Sequence, residues 1–398
     1  MYVLIQPVNR KEFEKRVFPN TYTYMVYRDG SSYYAKDGKT GAIEYVSEDA
    51  STVIQNLVNK ISNGGIIVFK PGTYDIKSEI TIPSTADRLI IDGNFATFNL
   101  YSNFLNFDNG SLPIRAIVKN MVISMKTDNL TAIKVFNRRS EFSNIHVEPI
   151  TGGSVVIDIK RVYNTLFSNI WGYVSSGTGY VIRYINTTTS GGEGSSVFIN
   201  CGVTSSSSAK GYAAYLVGNS PDYYVQYMTF INPFAYGNND EFYMSNYIQS
   251  ITIINAELRN LRIGGYQRNI TVVGGLVSNS YICTDDVGAC NDDIPIVFDN
   301  VNLTRSVTVG TGKVKYRNST VMGSPVGISE KGIGVISANT TSTTINHGLK
   351  KAPSIVLITP INYPSGKLWV ANITATSFEV RTDVAPSTDQ LFSWYAEI

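Results

Sequence analysis

Hydrolysis of a glycosidic bond by two carboxyl groups needs them about 5–5.5 Å apart for retention or about 6.5–9.5 Å apart for inversion. Two pairs of acidic residues in this chain are candidates for that work. Glu193 and Asp222 lie in the polar stretches TTTSGGEGSS and GNSPDYY, and Asp240 and Glu241 lie in GNNDEFYMSNY. For all four, a solvated loop charge is the alternative reading. Tyr223, Tyr224 and Tyr227 surround Asp222, and Trp171 and Tyr173 alternate along a strand-like stretch. Exposed aromatic rings beside polar groups suit sugar binding, because a sugar ring has apolar faces and hydrogen-bonding edges. His146 and Glu148, two residues apart, could combine in acid–base chemistry, with a contact between subunits as the alternative.

Metal and thiol chemistry have little to work with. Three cysteines and two histidines are too few for a structural zinc site. Asp285, Asp286, Asp292 and Asp293 match no calcium-loop spacing. No metal and no cofactor is expected. Cys283 and Cys290 bracket the segment TDDVGA, either as a disulfide-closed loop or as two unrelated thiols. Cys201 reads as an inert core thiol and His347 as a structural residue.

The elements that must position these groups are written as a repeat. A hydrophobic residue stands two before Asn120, Asn144, Asn169, Asn200, Asn232, Asn255, Gly274, Asn300 and Asn318, at intervals of roughly 25 residues. The residues two before each mark (Val118, Phe142, Phe167, Phe198, Phe230, Ile253, Val272, Phe298, Tyr316) are all apolar or aromatic and form one core column. Positions one and three after the mark are also nearly all apolar, while those between carry His146, Glu148, Trp171, Tyr173, Glu257 and Arg259. That alternation is the strand period. Asn and Gly enter the left-handed backbone region at least cost, so each repeat reads as strand, one-residue turn, strand. The pattern predicts an all-β fold: a right-handed parallel β-helix of about nine or ten coils, with the asparagines stacked as a turn ladder. Gly93 marks a candidate earlier coil, although Asn94 breaks the pattern there. The two longest intervals, which hold Glu193 and Asp222, must leave the shaft as loops.

Composition agrees. The chain has 398 residues, 33 Lys+Arg against 31 Asp+Glu for a net charge of +2, and only 16% charged residues, against about 25% in ordinary domains. With 26 Tyr and 33 Gly, it favours strands and turns. No apolar run approaches the ~18 residues of a membrane span, and no Lys/Arg block marks a nucleic-acid footprint, so neither membrane insertion nor nucleic acid is expected. The N-terminus carries no secretory signal pattern. Residues 1–46 read as a Tyr-rich β-hairpin segment. Residues 47–322 read as a capping helix and the shaft, with Ser47 or Asp49 as N-cap. Residues 323–398 read as a C-terminal β-sandwich for trimerisation or binding.

Residues 48–97, with an acidic-capped Val-Ile-Gln helix followed by Gly-Gly, a strand and Pro-Gly-Thr-Tyr, resemble the opening of the pectate-lyase-like β-helix superfamily. The block Tyr-Tyr-Ala-Lys-Asp-Gly-Lys-Thr-Gly before it is similar to the lead-in of β-helix proteins from thermoacidophilic archaea and their viruses. The C-terminal stretch, with Asn346-His347-Gly348-Leu349, Trp369-Val370 and Phe392-Ser393-Trp394-Tyr395-Ala396, resembles the terminal modules of viral tail fibres and tailspikes. The resemblance implies a homotrimeric tailspike on the outside of a virion. It would join other tail proteins through its N-terminus and bind host surface glycan or glycoprotein. The polygalacturonase Gly-His-Gly and Arg-Ile-Lys motifs do not occur, so a glycan hydrolase or lyase is the rival reading.

Overall fold

A computed structural model describes residues 22–61, 64–108, 114–186, 195–219, 224–282, 296–309, 314–317, 319–321, 324–326, 329–347, 349 and 352–397. Glu193, Asp222, Tyr223, Asn318, Cys283, Cys290 and the four aspartates around those cysteines lie outside them.

The chain opens with an antiparallel meander of Tyr24–Asp29, Ser32–Asp37 and Ile43–Ser47, whose first strand pairs in parallel with Gly65–Phe69 of the shaft. Helix α1, Ala50–Lys60, follows. Asp49 is its N-cap and accepts hydrogen bonds from Ser51 N at 3.0 Å and Thr52 Oγ1 at 2.9 Å. Val53, Ile54, Leu57 and Val58 are buried on one helical face and continue the shaft's core.

Beyond the helix the chain winds as a right-handed parallel β-helix. Each coil has a first face before the asparagine turn, a second face after it and a third face that closes the coil. On the first face the inward column is continuous in register: Val118 with Phe142, Phe167, Phe198, Phe230, Ile253, Val272, Phe298 and Tyr316. Phe142, Phe167, Phe198 and Phe230 stack at 5.2, 4.6 and 4.4 Å between centroids. Coil-to-coil register thus places equivalent inward positions over one another, which is why apolar and aromatic residues recur along the column.

The turn asparagines 120, 144, 169, 200, 232, 255 and 300 all have φ between 51° and 58°, and Gly274 has φ 65°. Each of Asn144, Asn169, Asn200, Asn232 and Asn255 donates from Nδ2 to Oδ1 of the asparagine one coil earlier, at 2.9–3.0 Å. Asn120 donates in the same way to Asp92 Oδ1 at 3.0 Å. The earlier coil is therefore present, in the strand Leu89–Leu100, with Asp92 at the foot of the ladder. Its turn is longer: Asn94 and Phe95 both have positive φ, and pairing with the next coil shifts between Asp92 and Ala96. Gly93 is required there, because a Cβ would sit 2.6 Å from Asn120 O.

Residues from Ser329 onward form two three-stranded antiparallel sheets around a separate core of Ile336, Leu349, Phe378, Val380, Phe392, Trp394 and Ala396. His347 is fully buried there. Its Nδ1 accepts from Leu349 N at 3.1 Å, and its ring stacks on Phe378.

Candidate functional site

The third face carries a cluster of polar and aromatic side chains. Its strands Val155–Tyr163, Thr178–Asn186, Lys210–Gly218 and Glu241–Asn246, and the C-terminal ends of Ile248–Ile263 and Gln267–Ile282, stack in parallel. One outward column runs Lys134, Asp158, Arg183, Tyr215, Tyr243, Arg262, Tyr281. The neighbouring outward column, three residues earlier in the first two strands and two residues earlier after a bulge, runs Tyr180, Tyr212, Glu241, Asn260, Asn279. These positions face out because the intervening Ile157, Ile182, Ala214, Phe242 and Leu261 fill the core.

Four rings interlock. Tyr180 stacks on Tyr212 at 5.0 Å and Tyr215 on Tyr243 at 4.8 Å, and the two stacks meet edge to face at 5.1 Å between Tyr212 and Tyr215. Charged groups frame them in pairs. Arg183 holds Asp158 through two hydrogen bonds of 2.9 Å, and Lys210 and Arg262 both reach Glu241 Oε1, at 3.1 and 2.8 Å. Lys210 lies 4.9 Å above the Tyr212 ring and Arg262 4.4 Å above that of Tyr281. Burial pushes the Tyr215 phenol up to about 12, with the neighbouring tyrosines adding to it, and burial followed by the Glu241 charge raises Tyr212 as well. Both phenols therefore stay protonated, as hydrogen-bond donors, across the physiological range. Glu241 is 4% exposed and its Oε2 is buried without a hydrogen-bond partner.

The structure separates the two members of the second acidic pair. Asp240 is fully buried, its Oδ1 accepting from Gly211 N at 2.9 Å and its Oδ2 from Gly237 N at 2.7 Å. It clamps a turn on the inner side of the strand, so the loop charge expected there is a structural anchor. Burial raises its pKa, opposed by Ser205 and these two amides. Glu241 alone belongs to the outer face. Asp158 shares that face three strand steps away, about 14 Å along the shaft, which exceeds the span of a glycosidase pair.

The sequence-derived aromatic residues fall in two other places. Trp171 and Tyr173 are on the second face, where Trp171 stacks on His146 at 3.7 Å; His146 Nε2 lies 3.5 Å from Glu148 Oε2. Burial lowers the His146 pKa, with Glu148 opposing it. Tyr224 sits at the corner between third and first faces, edge-on to Tyr247 at 5.7 Å, and Tyr247 stacks on the exposed Tyr266 at 4.9 Å. Tyr227 is 45% exposed with φ 56°. Cys201 is buried and its thiol is pushed up to about 12 by burial, which leaves it unreactive.

Sequence reasoning missed the third face. The available signal was the recurrence of Gly-Tyr-x-x-Arg/Tyr, as Gly179-Tyr180 with Arg183 and Gly211-Tyr212 with Tyr215.

No protein-family model matches the sequence, and no curated protein matches it significantly. Among solved structures, the chain is similar to the tailspike gp49 of Acinetobacter baumannii bacteriophage Fri1, a capsular polysaccharide depolymerase. The identity is 11% and the TM-score 0.33, over 87% of this chain and 82% of that one. It is also similar to ORF18 of Geobacillus virus E2, at 13% identity and TM-score 0.33 over 96% and 87% of the two chains. A third is the Pseudomonas phage phi297 tailspike gp61, at 9% and 0.28 over 85% and 67%. The fold assignment rests on the strand register and not on these likenesses.

Proposed function

We propose that this chain is a virion tailspike that attaches to glycan or glycoprotein on the host surface, with the third face as its binding surface. The carrying observation is the interlocked set Tyr180, Tyr212, Tyr215 and Tyr243 framed by Arg183, Lys210 and Arg262. Stacked coils repeat this surface about every 4.8 Å, which suits a linear ligand that itself repeats. The partly exposed rings of Tyr180, Tyr215 and Tyr243 offer apolar platforms, and the Asp158–Arg183 pair and Glu241 with its two cations offer hydrogen-bonding edges and a small net positive charge.

The chain acts as a homotrimer in this reading. The first face supports it, with an outward column of Ile199, Ile231, Ile254 and Val273 that is only half-buried in the single chain. Residues 1–46 would join other tail proteins and residues 323–398 would trimerise or bind. The lead-in over residues 33–41 supports a virus of thermoacidophilic archaea.

Depolymerisation is the second reading. Asn186 and Gly218 are register partners at the ends of adjacent third-face strands, and Glu193 and Asp222 follow them in the sequence, outside the described residues. Co-sedimentation with purified host envelope glycan tests attachment, and release of new reducing ends tests cleavage. Binding without new ends supports the attachment reading, new ends support the enzyme, and no binding to any envelope glycan rejects both.

A further inference from the structure

A second surface, on the corner between third and first faces in the early coils, has different chemistry. Arg88, Arg115 and Arg139 hold equivalent places before three consecutive first-face strands; Arg88 N donates to Arg115 O at 2.8 Å. Together they line a cavity of about 210 Å3 whose apolar walls include Ile90 and Ile117. Asp87 holds Arg115, with bonds to its Nε at 3.0 and 3.2 Å and to its backbone N at 2.7 Å. Arg88 and Arg139 are exposed, and neither guanidinium has a partner among the described residues. Arg138 adds positive charge beside Asp87. Glu141, next after Ile117 in the outward column, is the nearest further carboxylate by register, and Ser143 donates to it.

The backbone makes the arginines informative. Arg88 has φ 66° and Arg139 φ 48°, and the corresponding corner one coil later is Asn164, φ 47°. The left-handed conformation favours Asn or Gly, so arginine at two such corners is not there for the turn. We propose that this corner binds a carboxylated saccharide. The guanidinium forks of Arg88 and Arg139 would pair with sugar carboxylates, and the walls of Ile90 and Ile117 would receive the C–H face of the ring. This site is independent of the third-face reading, whose ligand need carry no charge.

Titration of the full chain with oligoglucuronate, dextran and polyglutamate tests it, using wild type and Arg88→Asn/Arg139→Asn. Oligoglucuronate is expected to bind wild type, more weakly as salt rises, and dextran not to bind at this corner. The double variant should lose binding by about tenfold or more while its melting temperature stays level or rises, since Asn suits both turns. Tyr215→Ala/Tyr243→Ala should leave this binding within about twofold. Should the double variant not fold, each single Asn variant carries the same expectation. Undiminished oligoglucuronate binding in the Arg variants, absent binding in wild type, or equally tight binding of polyglutamate would each overturn the proposal.

Discussion

At the scale of single residues, the turn asparagines do two things at once: they occupy the left-handed region and they pass a hydrogen bond from coil to coil. Asn169 both donates to Asn144 and accepts from Asn200. Asn169→Ala loses both bonds and adds backbone strain, and should cost about 2–3 kcal/mol in denaturant unfolding. Asn169→Gly keeps the backbone and should cost less; equal costs would show that conformation contributes little. The asparagines were legible because the backbone restricts that position to two residue types. Asp240 was not legible as a turn clamp, because the amides it binds, Gly211 and Gly237, include one 29 residues away. Glu241, beside it in sequence, differs only in which face of the strand it occupies.

At the scale of elements, the shaft holds together through columns of like residues. Phe198 is stacked between Phe167 and Phe230 and is 1% exposed. Phe198→Ala should cost about 3–5 kcal/mol and Phe198→Leu clearly less, as measured by urea unfolding; a near-neutral Ala variant would contradict the stacked column. This column was readable from the sequence because it keeps a fixed offset from the turn asparagine. The third face was not, because the second-face strand and the corner before it vary in length from coil to coil. Its tyrosines therefore lie at no constant distance from the marks, and only the strand pairing aligns them. The coil before Asn120 was half legible for a similar reason: a longer turn around Asn94 and Phe95 shifts its register.

At the scale of the whole molecule, few ionisable groups and their pairing set the response to acid. Arg115 bonds to Asp87 and holds its carboxyl down at about 2, so that stabilisation is fully present above the ordinary aspartate range and is lost progressively as pH falls from about 4 to about 2. Glu79, beside Lys134 and Asn106, and Glu379, beside Arg381, are likewise held low. Asp240, raised by burial, works in the opposite sense: acidification neutralises it and relieves the folded state. The melting temperature should therefore stay level from neutral pH to about pH 5 and fall only gradually from there to about pH 3, because the paired carboxylates are few. A steep loss already at about pH 4 would contradict this. Glycan attachment through the proposed third-face site is tested most directly by calorimetric titration of purified host envelope glycan against wild type and Tyr215→Ala/Tyr243→Ala. The expected result is a loss of affinity of about tenfold or more with an intact fold; affinity equal to wild type in a folded double variant would contradict it.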